Sequence, residues 1–447
     1  MNLSTMTRSP WSWQPPGSIA VVSPPPAPVD ADIVVPGSKS FTNRALLVAA
    51  LAEGDSTLTG VLRSDDSYWA VQVLRQLGVA VQVDGTTVHV RGCGGRWPVT
   101  EGTLYVGSAG TLARFLPPVL AAAPEGQWIV DGSEQLRRRP IVPLVDALRQ
   151  LGARVDYVSV PGQFPLRVTA GLPGGSAVVS GNISSQFVSG LLLGAPYARA
   201  PVHIQVSDGL VQPAYVGITI ALMRAFGVDV AHDSEYTTLH VAPRVYRGRA
   251  FTLEADASTA CYFLTLAALT GGRVRVCNVG VDSLQPDARF VDVLEAMGCA
   301  VRRGAGFLEV KGPKRLRGNL TVDMKPMSDQ ALTLGVAAVF ADGPVRVRGV
   351  AHIRGHESDR IHVFCTQMAR LGIRADELED GFVVYPGSPA PGPALDPHDD
   401  HRQAMAFALL GARVPGIRIL DPGCVSKTCP SFFLMLSRLG VDVRFAD

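Results

Sequence analysis

Several features are scarce in this sequence, and each shortage removes a class of function. Seven cysteines (Cys93, Cys261, Cys277, Cys299, Cys365, Cys424 and Cys429) are scattered over 447 residues, odd in number and without a CxxC pair. This excludes a disulfide framework and a cysteine zinc site, and reads as free thiols in a reducing cytoplasm with no metal. An excess of one charge is also missing, since 41 Lys and Arg against 39 Asp and Glu leave +2. Neither a nucleic-acid coat nor a polybasic membrane patch fits that balance. Residues 174–198 carry no charge, but Asn182, Ser184, Ser185 and Gln186 make them too polar to span a bilayer. The first thirty residues, rich in Pro, Ser and Trp, lack the apolar core of a signal peptide and are expected to form a partly ordered arm.

What is present is a repeat. Six times a helix-like stretch ends in a glycine followed by a short alternating run: LRQLGVAVQV, LRQLGARVDY, MRAFGVDVAH, LEAMGCAVRR, MARLGIRADE and LSRLGVDVRF. The glycines are Gly78, Gly152, Gly227, Gly298, Gly372 and Gly440, at intervals of 74, 75, 71, 74 and 68 residues. An amphipathic helix, a glycine at its C-cap and a period-two strand make each unit α/β. A period near 70 is too long for the usual solenoid repeats and suits a small βαβαββ unit. With 47% hydrophobic residues the chain can build more than one core, most simply two domains of three units. Chemistry is then expected where the units stop looking alike.

Those breaks are polar segments ahead of apolar helices. Lys39, Ser40 and Arg44 follow Pro36-Gly37-Ser38 at one helix start, where free backbone N–H groups also favour an anion. The GxxxxGK[ST] spacing of a Walker loop is absent there. Gly110, ahead of Arg114, would let a ligand approach the backbone closely, and Arg137-Arg138-Arg139-Pro140 offers a bidentate partner for a carboxylate or phosphate. Ser184, Ser185 and Gln186 suit a phosphorylated, hydroxylated ligand, although a serine N-cap reads the same way. In the second half, Asp329 opens one apolar helix, as a cap or as a base. Arg354 to Arg360 packs five ionisable groups into seven residues, and Asp399-Asp400-His401-Arg402 opens another helix. Lys427 lies in a segment almost devoid of other charge. Cations converging at helix N-termini favour a small, multiply anionic ligand, with Asp329 and Glu357 available for proton transfer.

Taken in order, PGSKSFTNRALLVAALAEG, GSAGTLARF, RRRPIVPLVDAL, GNISSQFVSGLL, IRGHESDR, DDHRQAMAFAL and CVSKTCP closely resemble the 5-enolpyruvylshikimate-3-phosphate synthase family, from about Val34 to the C-terminus. The resemblance implies the two-domain enolpyruvyl transferase fold, each domain three βαβαββ repeats in a pseudo-threefold arrangement. Residues 38–255 would form one domain and residues 31–37 with 256–447 the other, with the active site in a cleft between them and residues 1–30 as the arm. It implies transfer of the enolpyruvyl group of phosphoenolpyruvate to the 5-hydroxyl of shikimate 3-phosphate, with release of phosphate through a tetrahedral intermediate. That is the shikimate-pathway step toward chorismate and the aromatic amino acids.

Carried over by position, Asp329 takes the hydroxyl proton, Glu357 protonates the methylene carbon and Lys39 assists as an acid. Lys39, Ser40, Arg44, Ser184, Ser185, Gln186, Gln212, Tyr215, Asp329, His352 and His356 would hold shikimate 3-phosphate. Lys39, Gly110, Arg139, Gln186, Arg360, His401, Arg402 and Lys427 would hold phosphoenolpyruvate. No cofactor, nucleic acid or membrane partner is implied, and a cytoplasmic monomer is expected. The chain departs from the usual pattern at Ser108 (Asn), Phe115 (Pro), His356 (Lys) and Gln212, which stands where a Ser helps hold the shikimate phosphate. Gln212 keeps two alternatives open: a transferase for a related cyclitol, or a non-catalytic metabolite-binding homologue.

Overall fold

The structure, a computed structural model, describes residues 8–447, so the first seven residues of the expected arm lie outside it. The chain divides into two compact units. One takes Gly37–Leu253 with the described N-terminus up to Trp11; the other takes Ser12–Pro36 and Glu254–Asp447.

All six repeat glycines end a helix in the left-handed region, with φ between 75° and 96°. At each one the glycine N–H bonds three residues back, and the next N–H bonds five residues back. At the first copy, for example, the Gly78 N–H reaches Arg75 O at 3.0 Å and the Val79 N–H reaches Leu74 O at 3.0 Å. This is the Schellman closure that a residue without a Cβ favours, and it turns the chain from helix into strand.

Within a repeat, two parallel strands are each followed by a helix, and an antiparallel hairpin closes the sheet. The second repeat shows the order plainly: Glu101–Tyr105 lies parallel to Gln127–Asp131, which pairs antiparallel with Leu166–Thr169, and that strand pairs with Arg154–Tyr157. Gly175–Val179, Val202–Val206, Thr238–Val241 and Ala231–His232 repeat it, as do Leu320–Asp323, Val345–Arg348, Gly381–Val384 and Ala375–Leu378.

The other repeats are completed by distant strands. Ala250–Thr252, at the end of the first unit, lies parallel to Glu53–Thr59. Asp30–Ile33 plays the same part beside Arg273–Val276. After Gly440 only one strand remains, Asp442–Ala446, too little for a hairpin. The missing strand is Ile19–Ser23, within the segment expected as an arm, which lies antiparallel between Asp442–Ala446 and Ile417–Leu420.

The two helices of a repeat differ in kind. The first is buried on nearly every side and apolar apart from a few polar residues, most of them in its opening turns: Lys39–Leu51, Gly110–Ala121 and Ser185–Gly194 in one unit, Ala257–Thr270, Ala331–Val339 and His401–Leu410 in the other. The second is amphipathic and shows one face to solvent, as Asp65–Gln76, Val142–Gln150 and Arg360–Arg370 do. A helix without a polar face has to sit inside the core, so each unit is built around three such helices. No helix among the described residues is long and apolar enough to cross a membrane.

Candidate active site

Most of the expected site residues lie at or next to helix ends, in each unit separately. In the first unit the opening turns of four helices are tied to one another. The Asn43 amide donates to the Thr111 hydroxyl, linking the helices Lys39–Leu51 and Gly110–Ala121. Arg44 reaches from the same helix to the other two. Its Nε donates to Thr219 Oγ1 (2.8 Å), Nη1 to Ser40 O (3.0 Å), and Nη2 to Ser189 Oγ and Tyr215 O (both 3.2 Å). Thr219 in turn donates to Ser189 Oγ at 2.9 Å.

Arg44 is 1% exposed, lies 4.8 Å from the Phe115 ring centroid, and among the described residues donates to uncharged acceptors only. Burial lowers its pKa to about 10. Enclosing a guanidinium without a carboxylate is costly, and four helix N-termini with no acid in their first turns add positive potential around it. Such a surround favours an anion.

Other candidates of this unit lie at the same helix starts. Lys39 and Ser40 open the first helix and are half-buried. Ser184 is the N-cap of the helix Ser185–Gly194, its hydroxyl accepting the Gln186 N–H at 3.2 Å, so the capping role anticipated for it is filled. Ser185 is buried, and Gln186 is half-buried with its Oε1 lacking a protein partner. Gln212 sits in the left-handed region at φ 50°, directly before Pro213, and Tyr215 follows in the first turn of Ala214–Ala225.

The three arginines separate clearly. Arg137 forms a bidentate pair with Asp131 (2.9 and 2.6 Å), Arg138 pairs with Glu134 at the surface, and Arg139 turns inward. A Cβ on Gly110 would lie 2.5 Å from Arg139 Nη1 and 3.1 Å from Arg114 Nη1, so this glycine lets two guanidinium groups crowd one helix start. Ser108, at the position of the usual Asn, shares a hydrogen bond with Ser133 at 2.7 Å.

The second unit pairs its cations with acids. Arg360, 2% exposed, donates to Asp400 Oδ2 (2.8 Å) and Oδ1 (3.3 Å), Asp329 Oδ1 (3.0 Å), Glu357 Oε2 (2.8 Å) and His356 Nδ1 (3.0 Å). Burial opposes its charge, but Asp400, Glu357 and Asp329 together raise its pKa. Arg402 Nη2 lies 2.7 Å from the other Asp329 oxygen, and its Nη1 donates to Tyr262 Oη at 3.4 Å. Burial and then Asp329 act in opposite directions on Arg402, and the raised pKa shows that the carboxylate prevails. Asp329 therefore bridges two arginines, and Arg360 joins the starts of three helices.

Both imidazoles near Arg360 are held neutral. His352 is pushed down to about 4, mainly by burial, and contacts Ser328 Oγ at 2.8 Å. His356 is also lowered, by burial and by Arg360, whose Nη1 it accepts on Nδ1. They can exchange hydrogen bonds with a ligand but not pair charge with it. His401 is fully enclosed, 3.8 Å from Asp400 Oδ1, and so faces the protein interior. Lys427 ends a short 3-10 helix and is 6% exposed.

Two buried acids were not singled out in the sequence. Asp400 caps the helix His401–Leu410 through the Arg402 N–H (2.9 Å) and also anchors Arg360; the Asp-Asp-His-Arg run ahead of an apolar helix was its signal. Asp287 accepts from Gln330 Nε2 at 2.9 Å, and burial and then Asp329 push its carboxyl up. Nothing in its local sequence marks it. Ser189 and Thr219 escaped notice for a similar reason, as polar residues within apolar helices.

Comparison with known proteins agrees with this arrangement. Residues 24–436 match the family model described as EPSP synthase (3-phosphoshikimate 1-carboxyvinyltransferase). A 3-phosphoshikimate 1-carboxyvinyltransferase 2 of Halalkalibacterium halodurans is 50% identical over 440 residues, 98% of each chain. The 3-phosphoshikimate 1-carboxyvinyltransferase of Trichormus variabilis is 43% identical over 409 residues, covering 91% of this chain and 95% of its own. Among solved structures, EPSP synthase from Acinetobacter baumannii superposes with a TM-score of 0.79 at 26% identity, over 95% of this chain and 99% of that one. Repeat architecture, helix-start constellation and near full-length identity agree: the chain belongs to the EPSP synthase (3-phosphoshikimate 1-carboxyvinyltransferase) family.

Proposed function

We infer that this chain transfers the enolpyruvyl group of phosphoenolpyruvate to the 5-hydroxyl of shikimate 3-phosphate and releases phosphate, a step of the shikimate pathway. The observation that carries the reading is 50% identity over 98% of the chain to a 3-phosphoshikimate 1-carboxyvinyltransferase. Against that likeness, nothing favours the related-cyclitol or non-catalytic alternatives that Gln212 left open.

The residue roles follow from chemistry. Lys39, Ser40, Ser184, Ser185, Gln186, Gln212 and Tyr215 receive shikimate 3-phosphate, with Arg44 placing positive potential behind them from within the core. His352 and His356 contribute neutral hydrogen bonds to the same substrate. Gly110, Arg139, Arg360, Arg402, His401 and Lys427 serve phosphoenolpyruvate, with His401 enclosed beside Asp400.

The arginine pairs of the second unit supply a trigger. An incoming phosphoenolpyruvate competes for Arg360 and Arg402, and a carboxylate that loses cationic partners becomes a better proton acceptor. Asp329 then takes the 5-hydroxyl proton as that oxygen attacks C2, while Glu357, protonated once Arg360 turns to the substrate, delivers a proton to C3 and takes one back from that carbon as the C2–O bond to phosphate breaks. The cations stabilise the departing phosphate of the tetrahedral intermediate. The protein acts on small molecules alone, as a cytoplasmic monomer.

The test is phosphate release from phosphoenolpyruvate by purified protein, with and without shikimate 3-phosphate. Release that depends strictly on shikimate 3-phosphate is expected. Release without it, or none with both substrates present, refutes the reading.

A further inference from the structure

Lys427 is the last residue of the 3-10 helix Pro422–Lys427, a piece too short to fix its own geometry. Its entrance is strained, because Asp421, not a glycine, sits at φ 45°. Something outside the turn must hold it, and the chain between Trp13 and Ser18 does so from both ends. At the entrance the Asp421 N–H donates to Ser18 O at 3.0 Å. At the exit the Trp13 N–H donates to the fully buried Ser426 Oγ at 3.0 Å, next to Lys427. Between them Pro15 packs over Gly423. The Trp13 indole is itself fixed, with ring centroids 5.9 Å from Phe433 and 5.4 Å from Phe445. Phe433 belongs to the helix that follows the turn, and Phe445 to the strand paired with Ile19–Ser23.

We propose that residues 13–18 are a clamp that positions Lys427, and that Trp13 is a positioning residue for phosphoenolpyruvate. The clamp lies wholly within one unit and ahead of residue 24, where the family match begins. The proposal rests on the assignment of Lys427 to phosphoenolpyruvate made above. Losing the clamp frees the turn to relax and displaces the ammonium, an error of a kind that costs affinity for the group it serves.

The test is steady-state kinetics of the full-length enzyme with each substrate varied. Trp13→Ala and Ser426→Ala are expected to raise KM for phosphoenolpyruvate about tenfold and leave KM for shikimate 3-phosphate within about twofold. Trp13→Phe keeps an aromatic ring on Phe433 and Phe445 and should restore KM for phosphoenolpyruvate to within about twofold. An unchanged KM for phosphoenolpyruvate in both variants overturns the proposal. An equal rise in both KM values does so too, since it marks general loosening. If Trp13→Ala fails to fold, Ser426→Ala decides alone. Lys427→Met is run alongside. Should it leave KM for phosphoenolpyruvate unchanged, the Lys427 assignment falls and takes the clamp with it. Should it raise that KM while the other two variants do not, only the clamp falls.

Discussion

Replacing Arg360 by Met removes a cation that Asp329, Glu357 and Asp400 all contact, and the loss can be sized from the buried pairs that it breaks. Asp329 retains Arg402 at 2.7 Å. Asp400, fully buried, retains the Ser358 hydroxyl at 3.0 Å and the Arg402 N–H at 2.9 Å. Glu357, with a side chain 6% exposed, loses one of its contacts, the Arg360 pair at 2.8 Å. Removing one partner of a buried ion pair costs about 3–5 kcal/mol, because the remaining charge stays desolvated. In a unit of about 220 residues each kcal/mol lowers the melting temperature by about 2–4 °C. Arg360→Met should therefore melt about 6–20 °C below the parent by calorimetry at pH 7. Screening by salt reaches buried pairs poorly, so 1 M salt should change that gap little. Adding Asp400→Asn should return part of the loss, with a coupling of about 1–3 kcal/mol in the double-mutant cycle. A single-variant loss under about 1 kcal/mol, or strictly additive effects, would refute the view of Arg360 as the charge that holds these acids together.

Further consequences can be measured directly. Lys39→Met should cut turnover by at least about a thousandfold with melting unchanged, and turnover like the parent's would sink its place in the site. Gly152→Ala forces a left-handed Cβ to within 2.8 Å of Pro173 Cγ, whereas at Gly372 nothing lies within 4 Å. The first should cost about 2–3 kcal/mol and the second about 1–2, by chemical denaturation; equal losses would count against the packing part of the argument. His352 ties stability to pH. Its folded pKa of about 4 lies below the ordinary 6.5, so the unfolded chain takes up a proton first as pH falls. Its contribution is complete above pH 6.5 and is lost between 6.5 and 4, by up to about 3 kcal/mol. A His352→Gln variant with the same slope of stability against pH would remove that explanation.

Much of the fold was legible because it is periodic. Six glycines at even spacing marked six helix ends, and each adopts the left-handed closure its context required. Apolar runs such as ALLVAALA and ALTLGVAAV also announced helices with no polar face, which must be interior. The exchange of strands between distant segments was harder to see. Ile19–Ser23 lies amid Pro, Ser and Trp in a stretch read as an arm, and only the incomplete hairpin after Gly440 explains why the last sheet recruits it.

The candidate site divides along the same line. Residue identity and order by themselves determined the family, the reaction and the places where cations and acids gather, because motifs at helix starts are local in sequence. Which charges meet was decided by tertiary structure alone, since pairing depends on helices far apart in the chain. Arg44 and Arg360 both read as ligand arginines. Folding buries Arg44 among hydroxyls and carbonyls from three helices, and surrounds Arg360 with carboxylates drawn from three segments. Position in the sequence carries no record of that difference, because it arises only when helices far apart in the chain bring their N-terminal ends together.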